Sequence, residues 1–328
     1  MFSSKKYIKN FVKAISVIAG LGAVLITTFH FRDNGFDYQK DLFVMDTAVS
    51  IKSEGDVIKN ISYILHEYDT LLSRESAPDG VYILNINTCL SSAELSGVIS
   101  DVFSLNEKYG TLTDITIGRC TALWGITSDN PQIPSDEDIG IVRGSIGTRN
   151  VRLSGDRIFL ENGCQLDFGA VGKGIALDKC HEYLKENSSD RTFISTGSSM
   201  LFYNMEMENV SITDPDGGML AEVSSDYSFL STSGGYERFF EAGGKTYCHI
   251  IDPRTGRPTE TDLTTVTVFC ESGLMSDFLS TAIFIDGSEN IGKYLQSDEY
   301  KIFAADKNKK LYVSDGLEYE VLNDAYTE

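Results

Sequence analysis

Residues 231–258 read STSGGYERFFEAGGKTYCHIIDPRTGRP, and their turn chemistry decides how the chain is built. Gly243-Gly244 forms a two-residue hairpin turn between apolar arms. Tyr236 and Arg238 lie two apart and share a face if that segment is a strand. His249, one of four histidines, stands on the apolar return segment 247–251. Asp252-Pro253 stops that segment, and Thr255-Gly256 makes the next turn. An imidazole and an aspartate are thereby set at the mouth of a strand–loop unit. Such a histidine can act as a general base, with the acid orienting it. A core histidine bonded to backbone is the competing reading.

Outward from this stretch, short strands alternate with isolated helices. Apolar residues recur at helical spacing over 55–72, 94–109, 172–186 and 273–284. Strands are expected at 44–53, 158–160, 165–168, 192–195, 208–213, 219–223, 229–232 and 264–269. A final hairpin is expected from 300–306 and 310–314. This order predicts an α+β layer structure with mixed, mainly antiparallel sheets, and no regular βαβ repetition.

The chain has 328 residues, 41% hydrophobic and 23% charged, with a net charge of −20. That composition is globular. Lys5, Lys6, Lys9 and Lys13 precede an uncharged apolar run at 14–29, which reads as one N-terminal transmembrane helix or a cleaved signal. The charge bias sets the N-terminus in the cytoplasm. The expected organisation is a basic tail with membrane segment over 1–32, a linker over 33–43 and a catalytic domain over 44–328. The location is then the cell membrane, single-pass, with the domain extracytoplasmic. So acidic a domain excludes a nucleic-acid partner, because no basic field meets phosphates. Six cysteines stand singly, without CxxC or zinc spacing, and are expected to be mostly free, buried thiols.

Three constellations carry chemistry. In Leu166-Asp167-Phe168-Gly169-Ala170-Val171-Gly172-Lys173-Gly174 the glycines sit where the chain enters a helix, and Lys173 adds a point charge suited to phosphate. The Walker and GxGxxG patterns both fail here. Asp277 and Thr281 are i and i+4 on one helix, a carboxylate and a hydroxyl suited to magnesium. A loop-capping Asp277 is the alternative. The third constellation is His249 with Asp252. Asp114, Thr116 and Trp124 could wall a pocket, with Trp124 either stacking on a planar ring or filling the core.

At LDFGAVGKGIALD (166–178), TSGGYERFF (232–240), HIIDPRTGRP (249–258) and SDFLSTAIFI (276–285) the chain resembles the FAD:protein FMN transferase family, the ApbE-like flavin transferases. The likeness runs from Met45 to about Phe303. It implies a T-fold-like, two-lobed α+β structure with flavin between the lobes. It also implies that Asp277, Thr281 and the carbonyl of Ala170 bind Mg2+. FAD would be contacted by Asp167 and Lys173, with Met45, Leu112, Thr113, Asp114 and Ile251 lining its pocket. His249 would be the base near the diphosphate. FAD would be the substrate, FMN passing to a threonine of an acceptor protein and AMP leaving. The acceptor would be a membrane-associated, flavin-carrying redox protein.

The chain departs from that pattern in three places. The usual Met-Gly-Thr is Met45-Asp46-Thr47, Glu75 replaces a stacking aromatic, and Asn-x-Gly-Gly becomes Ser195-Thr196-Gly197-Ser198-Ser199. Two other functions stand beside the transferase: an FAD-binding or FAD-cleaving relative without a protein acceptor, and a non-catalytic, membrane-tethered binding module, which the departures at Asp46, Glu75 and Ser198 motivate.

Overall fold

The computed structural model describes residues 35–328 except Ser76, Met207 and Glu328. Its frame is an eight-stranded sheet whose strands lie side by side in chain order: β1 (Tyr38–Val44), β2 (Thr47–Ser53), β3 (Thr192–Ser195), β4 (Ser199–Tyr203), β5 (Phe229–Gly234), β6 (Leu263–Cys270), β7 (Tyr300–Asp306) and β8 (Leu311–Val313). Every neighbouring pair is antiparallel. Parallel pairing among the described residues is limited to two isolated bridges, Ile117 with Gln165 and Lys310 with Thr327.

The chain leaves this sheet in four large excursions. Between β2 and β3 it forms α1 (Ile58–Leu72), α2 (Ala93–Tyr109) and α3 (Gly172–Asn187), with three short α-helices, one 3-10 turn and a three-stranded sheet. Between β4 and β5 it forms the hairpin Glu208–Thr213/Met219–Ser225, later joined by Glu318–Val321. Between β5 and β6 come the hairpins Phe239–Ala242/Lys245–Cys248 and Ile251–Asp252/Arg257–Pro258. Between β6 and β7 runs α4 (Gly273–Asp286).

Strand alternation explains the layering. Ile194, Leu201, Phe229, Val268 and Ile302 point into a core shared with the helices. Their neighbours Phe193, Met200, Leu230, Phe269 and Phe303 point into a second core beneath the hairpin sheet. Successive side chains on a strand face opposite sides, so a sheet covered on both faces reads as continuous apolar runs. The α+β, mainly antiparallel expectation therefore holds.

Several local expectations do not. The segment 33–43 is not a linker, since 38–43 belong to edge strand β1. The single strand expected over 44–53 is a hairpin with Met45 and Asp46 at its turn, both left-handed at φ 55° and 57°. Residues 165–168 form no strand beyond the single Gln165 bridge. Tyr236 and Arg238 lie in a turn after β5, not on a strand. The membrane segment expected within 1–32 lies outside the described residues. Among those described, no helix is long and apolar enough to cross a membrane. All six cysteines are free, and all but Cys89 are buried.

Candidate active site

The site is built where α3 crosses α4. Gly174 and Gly273 bring the two backbones into contact, so a β-carbon on Gly174 would lie 2.0 Å from the Gly273 carbonyl oxygen. Asp178, one turn further along α3, accepts from the Gly273 and Leu274 N–H groups at 2.7 and 2.8 Å. It thereby satisfies two of the orphan donors at the start of α4. Burial pushes its carboxyl up to about 6, against the pull of those bonds.

One turn into α4, the buried Asp277 faces this crossing. Its Oδ2 accepts from the Gly174 N–H at 2.7 Å, and its Oδ1 accepts from Ser199 Oγ at 2.6 Å. Burial raises its carboxyl above the ordinary range, while the charge of Lys173 and these bonds oppose that shift. Lys173 donates to Ser198 Oγ. Thr281 follows one helical turn later, its hydroxyl 3.2 Å from Ser233 Oγ on β5. The structure thus brings the Lys173 charge within reach of Asp277, with Thr281 one turn further along α4, so two constellations that are separate in the sequence meet at this crossing. It adds partners for these residues: Ser198 and Ser199, which the sequence marks only as a departure from the family pattern, and Ser233, which lies in the quoted 232–240 motif without an assigned role. The available signal is the spacing of Ser231 and Ser233 on one strand face, with Ser276, Ser280 and Thr281 on one helix.

His249 is half-buried. Its Nδ1 lies 3.1 Å from the Arg238 carbonyl oxygen, which also accepts the His249 backbone N–H at 2.9 Å. A carbonyl can only accept, so Nδ1 carries the proton and the Nε2 lone pair is free. Burial, then the positive charges of Arg238 and Lys173, push the imidazole down to about 4, with Asp167 opposing. Asp252 is not its orienting acid. Both of its carboxylate oxygens lie 2.9 to 3.1 Å from nitrogens of the Arg254 guanidinium. The two residues are close in sequence across a turn, but their side chains go to different partners.

Asp167 is buried, accepts the Gly169 N–H at 2.8 Å and has Arg74 Nε at 3.5 Å from its Oδ2. Arg74, beside the exposed Glu75, is a cation to which the sequence reading gives no role. Met45 reaches the first residue of α3, its methyl 3.6 Å from where a Gly172 β-carbon would stand. Ala170 and Leu112 are half-buried. Thr113 donates to the Phe278 carbonyl at 2.7 Å, tying its loop to α4. Asp114 accepts from the Thr116 N–H and hydroxyl at 2.8 and 2.6 Å. Ile251 packs in a separate apolar cluster with Trp124. Trp124 is a core residue, its Nε1 donating to the Gly256 carbonyl at 2.9 Å.

Among the described residues no group of three His, Cys, Asp or Glu side chains gathers around a metal position. One carboxylate, hydroxyls and backbone carbonyls are nevertheless a hard-oxygen donor set. That suits magnesium, which is commonly held by one or two carboxylates and completed by waters and phosphate.

Fold and side chains together define an α+β domain in which a buried carboxylate and a hydroxyl lie at a helix crossing beside the Lys173 charge. Residues 45–304 match the model of the ApbE family, and the chain belongs to that family. It is 26% identical over 278 residues to the FAD:protein FMN transferase of Escherichia coli (strain K12), covering 79% of each chain. It is 27% identical over 260 residues to the FAD:protein FMN transferase of Treponema pallidum (strain Nichols), covering 71% of this chain and 72% of that one. Its fold is similar to the ApbE protein of Thermotoga maritima, with a TM-score of 0.79 at 24% identity over 85% of this chain and 97% of that one. The apo flavinyl transferase ApbE of Pseudomonas stutzeri gives 0.74 at 23% identity, covering 86% and 96%.

Proposed function

We propose that this chain is a magnesium-dependent FAD:protein FMN transferase. The observation that carries the reading is the buried Asp277 carboxylate at the α3–α4 crossing, with the Thr281 hydroxyl one turn away and the Lys173 charge close by. A bound magnesium ion would supply charge neutralisation at the FAD diphosphate. Asp277, Thr281 and the Ala170 carbonyl would hold it.

The chain's own groups do the rest. Lys173 meets the diphosphate charge, and Asp167, with Met45 nearby, positions the flavin half. His249 Nε2 takes the proton of an acceptor threonine. The threonine oxygen forms a new ester bond to the FMN phosphorus, the bond from that phosphorus to the bridging oxygen breaks, and AMP leaves with that oxygen. Arg238 and Lys173 disfavour an imidazolium in the free protein, and the arriving diphosphate offsets their charge, raising the basicity of His249 when substrate is bound. An N-terminal membrane segment would place the domain on the extracytoplasmic side, beside a membrane-associated, flavin-carrying acceptor.

The test is incubation of the domain with FAD, magnesium and a carrier protein bearing an acceptor threonine. The carrier gains the mass of an FMN residue and AMP appears. AMP without an adduct would indicate FAD cleavage alone, and neither product would indicate a binding module.

A further inference from the structure

The hydroxyls between β5 and α4 form a chain whose direction can be deduced. Ser280 Oγ lies 3.1 Å from the Asp277 backbone carbonyl oxygen, which can only accept, so Ser280 donates there. A serine hydroxyl has one proton. Ser233 Oγ, 2.9 Å from Ser280 Oγ, must then be the donor in that pair. With the Ser233 proton committed, the 3.2 Å contact between Ser233 and Thr281 is donated by Thr281. All three hydroxyls are buried, so water does not offer an easy alternative partner.

We infer that Ser233 is a positioning residue: by accepting the Thr281 proton it leaves the Thr281 lone pairs directed away from β5, free to ligate a cation. The inference rests on the reading that Asp277 and Thr281 hold a divalent ion. Without an acceptor on β5, the Thr281 proton is free to turn toward that ion, where a hydroxyl hydrogen repels positive charge. Partners that orient a metal ligand commonly contribute strongly to affinity. Ser280 closes the chain and keeps the Ser233 proton from pointing back at Thr281.

The experiment is a titration of the protein with manganese(II) alone, free ion being read by electron paramagnetic resonance. Ser233→Ala should weaken binding by about tenfold, in the range typical of ligand-orienting partners. Ser233→Thr, which keeps the hydroxyl, should restore it. Thr232→Ala, on the opposite face of β5 and paired with Thr267, should bind as wild type. Circular dichroism checks folding of each variant. If Ser233→Ala does not fold, Ser280→Ala asks the same question and should also weaken binding. Wild-type affinity in a folded Ser233→Ala or Ser280→Ala variant overturns the inference. Manganese binding that survives Asp277→Ala overturns the cation reading itself, and the inference with it.

Discussion

Gly174 and Gly273 touch backbone to backbone, and this contact sets the Gly174 N–H 2.7 Å from the carboxylate of Asp277. Neither position has room for a side chain, since a β-carbon on Gly273 would lie 2.3 Å from the Gly174 carbonyl oxygen. The first prediction follows. Gly174→Ala should destabilise the fold by about 1–3 kcal/mol, the usual cost of forcing extra volume into a packed contact. Urea denaturation measures it, and an unchanged midpoint would show that the helices can part freely.

Asp277→Asn is nearly isosteric but removes the charge. Transfer of FMN to a carrier should fall below detection at limiting magnesium, while the fold persists with some loss of stability. Asp277→Ala should be more destabilising, by about 1–3 kcal/mol, because the Gly174 N–H and the Ser199 hydroxyl are left buried without an acceptor. Carrier mass across a magnesium titration, beside a thermal unfolding curve, separates the two effects. Wild-type transfer by either variant at limiting magnesium would remove Asp277 from the site.

His249 should reveal itself by rate and by pH. His249→Ala should slow single-turnover transfer by about 10²–10⁴-fold, as general-base loss does, with much less effect on FAD binding. The neutral form is the active base, and the folded imidazole sits near 4. The kcat/KM profile of the wild type should therefore stay level down through about pH 6.5 and fall only toward about pH 4. The stability linkage has the same sense. The unfolded chain takes up a proton near about pH 6.5 and the folded one only near 4, so this group's contribution is complete above about 6.5 and is lost as pH falls through that window. An inflection in kcat/KM at an ordinary imidazole value, absent in His249→Ala, would contradict the structure.

The β1–β2 turn predicts a stabilising change. Met45 and Asp46 both adopt left-handed backbone, at φ 55° and 57°, a conformation that favours glycine. Their turn is held from outside: Asp69 accepts the Met45 N–H and the Arg238 guanidinium donates to the Asp46 carbonyl at 2.9 Å. Asp46→Gly should raise stability by about 1 kcal/mol, relieving the left-handed penalty, and thermal unfolding measures it. A lower melting temperature would mean that the Asp46 side chain supports the turn in a way its backbone contacts do not show.

Much of this architecture is legible in the order of the residues. The apolar stripes of Ile58–Leu72, Ala93–Tyr109 and Gly172–Asn187 depend on helical spacing, and the Gly243-Gly244 hairpin depends on two left-handed residues, at φ 61° and 77°. Such features reflect local forces, and each residue carries its own share of the signal. The residues at 166–178 and 276–285 likewise announce a carboxylate, a hydroxyl and a lysine by type and spacing.

Tertiary structure decided the rest. Residues 38–43 read as part of a linker because, in an edge strand exposed over most of its length, they show no apolar alternation, and only pairing with Thr47–Ser53 makes them a strand. Asp252 sits close to His249 in the chain, yet it is bound to Arg254, while the histidine is fixed by the Arg238 carbonyl. The type and spacing of Ser199 and Ser233 name no partner for either hydroxyl. The two serines become the partners of Asp277 and Thr281 only when α4 packs against β4 and β5. A single sequence records the period of its own local structure, but a hydrogen bond between residues 48 or 78 positions apart exists only after the intervening chain has been folded away.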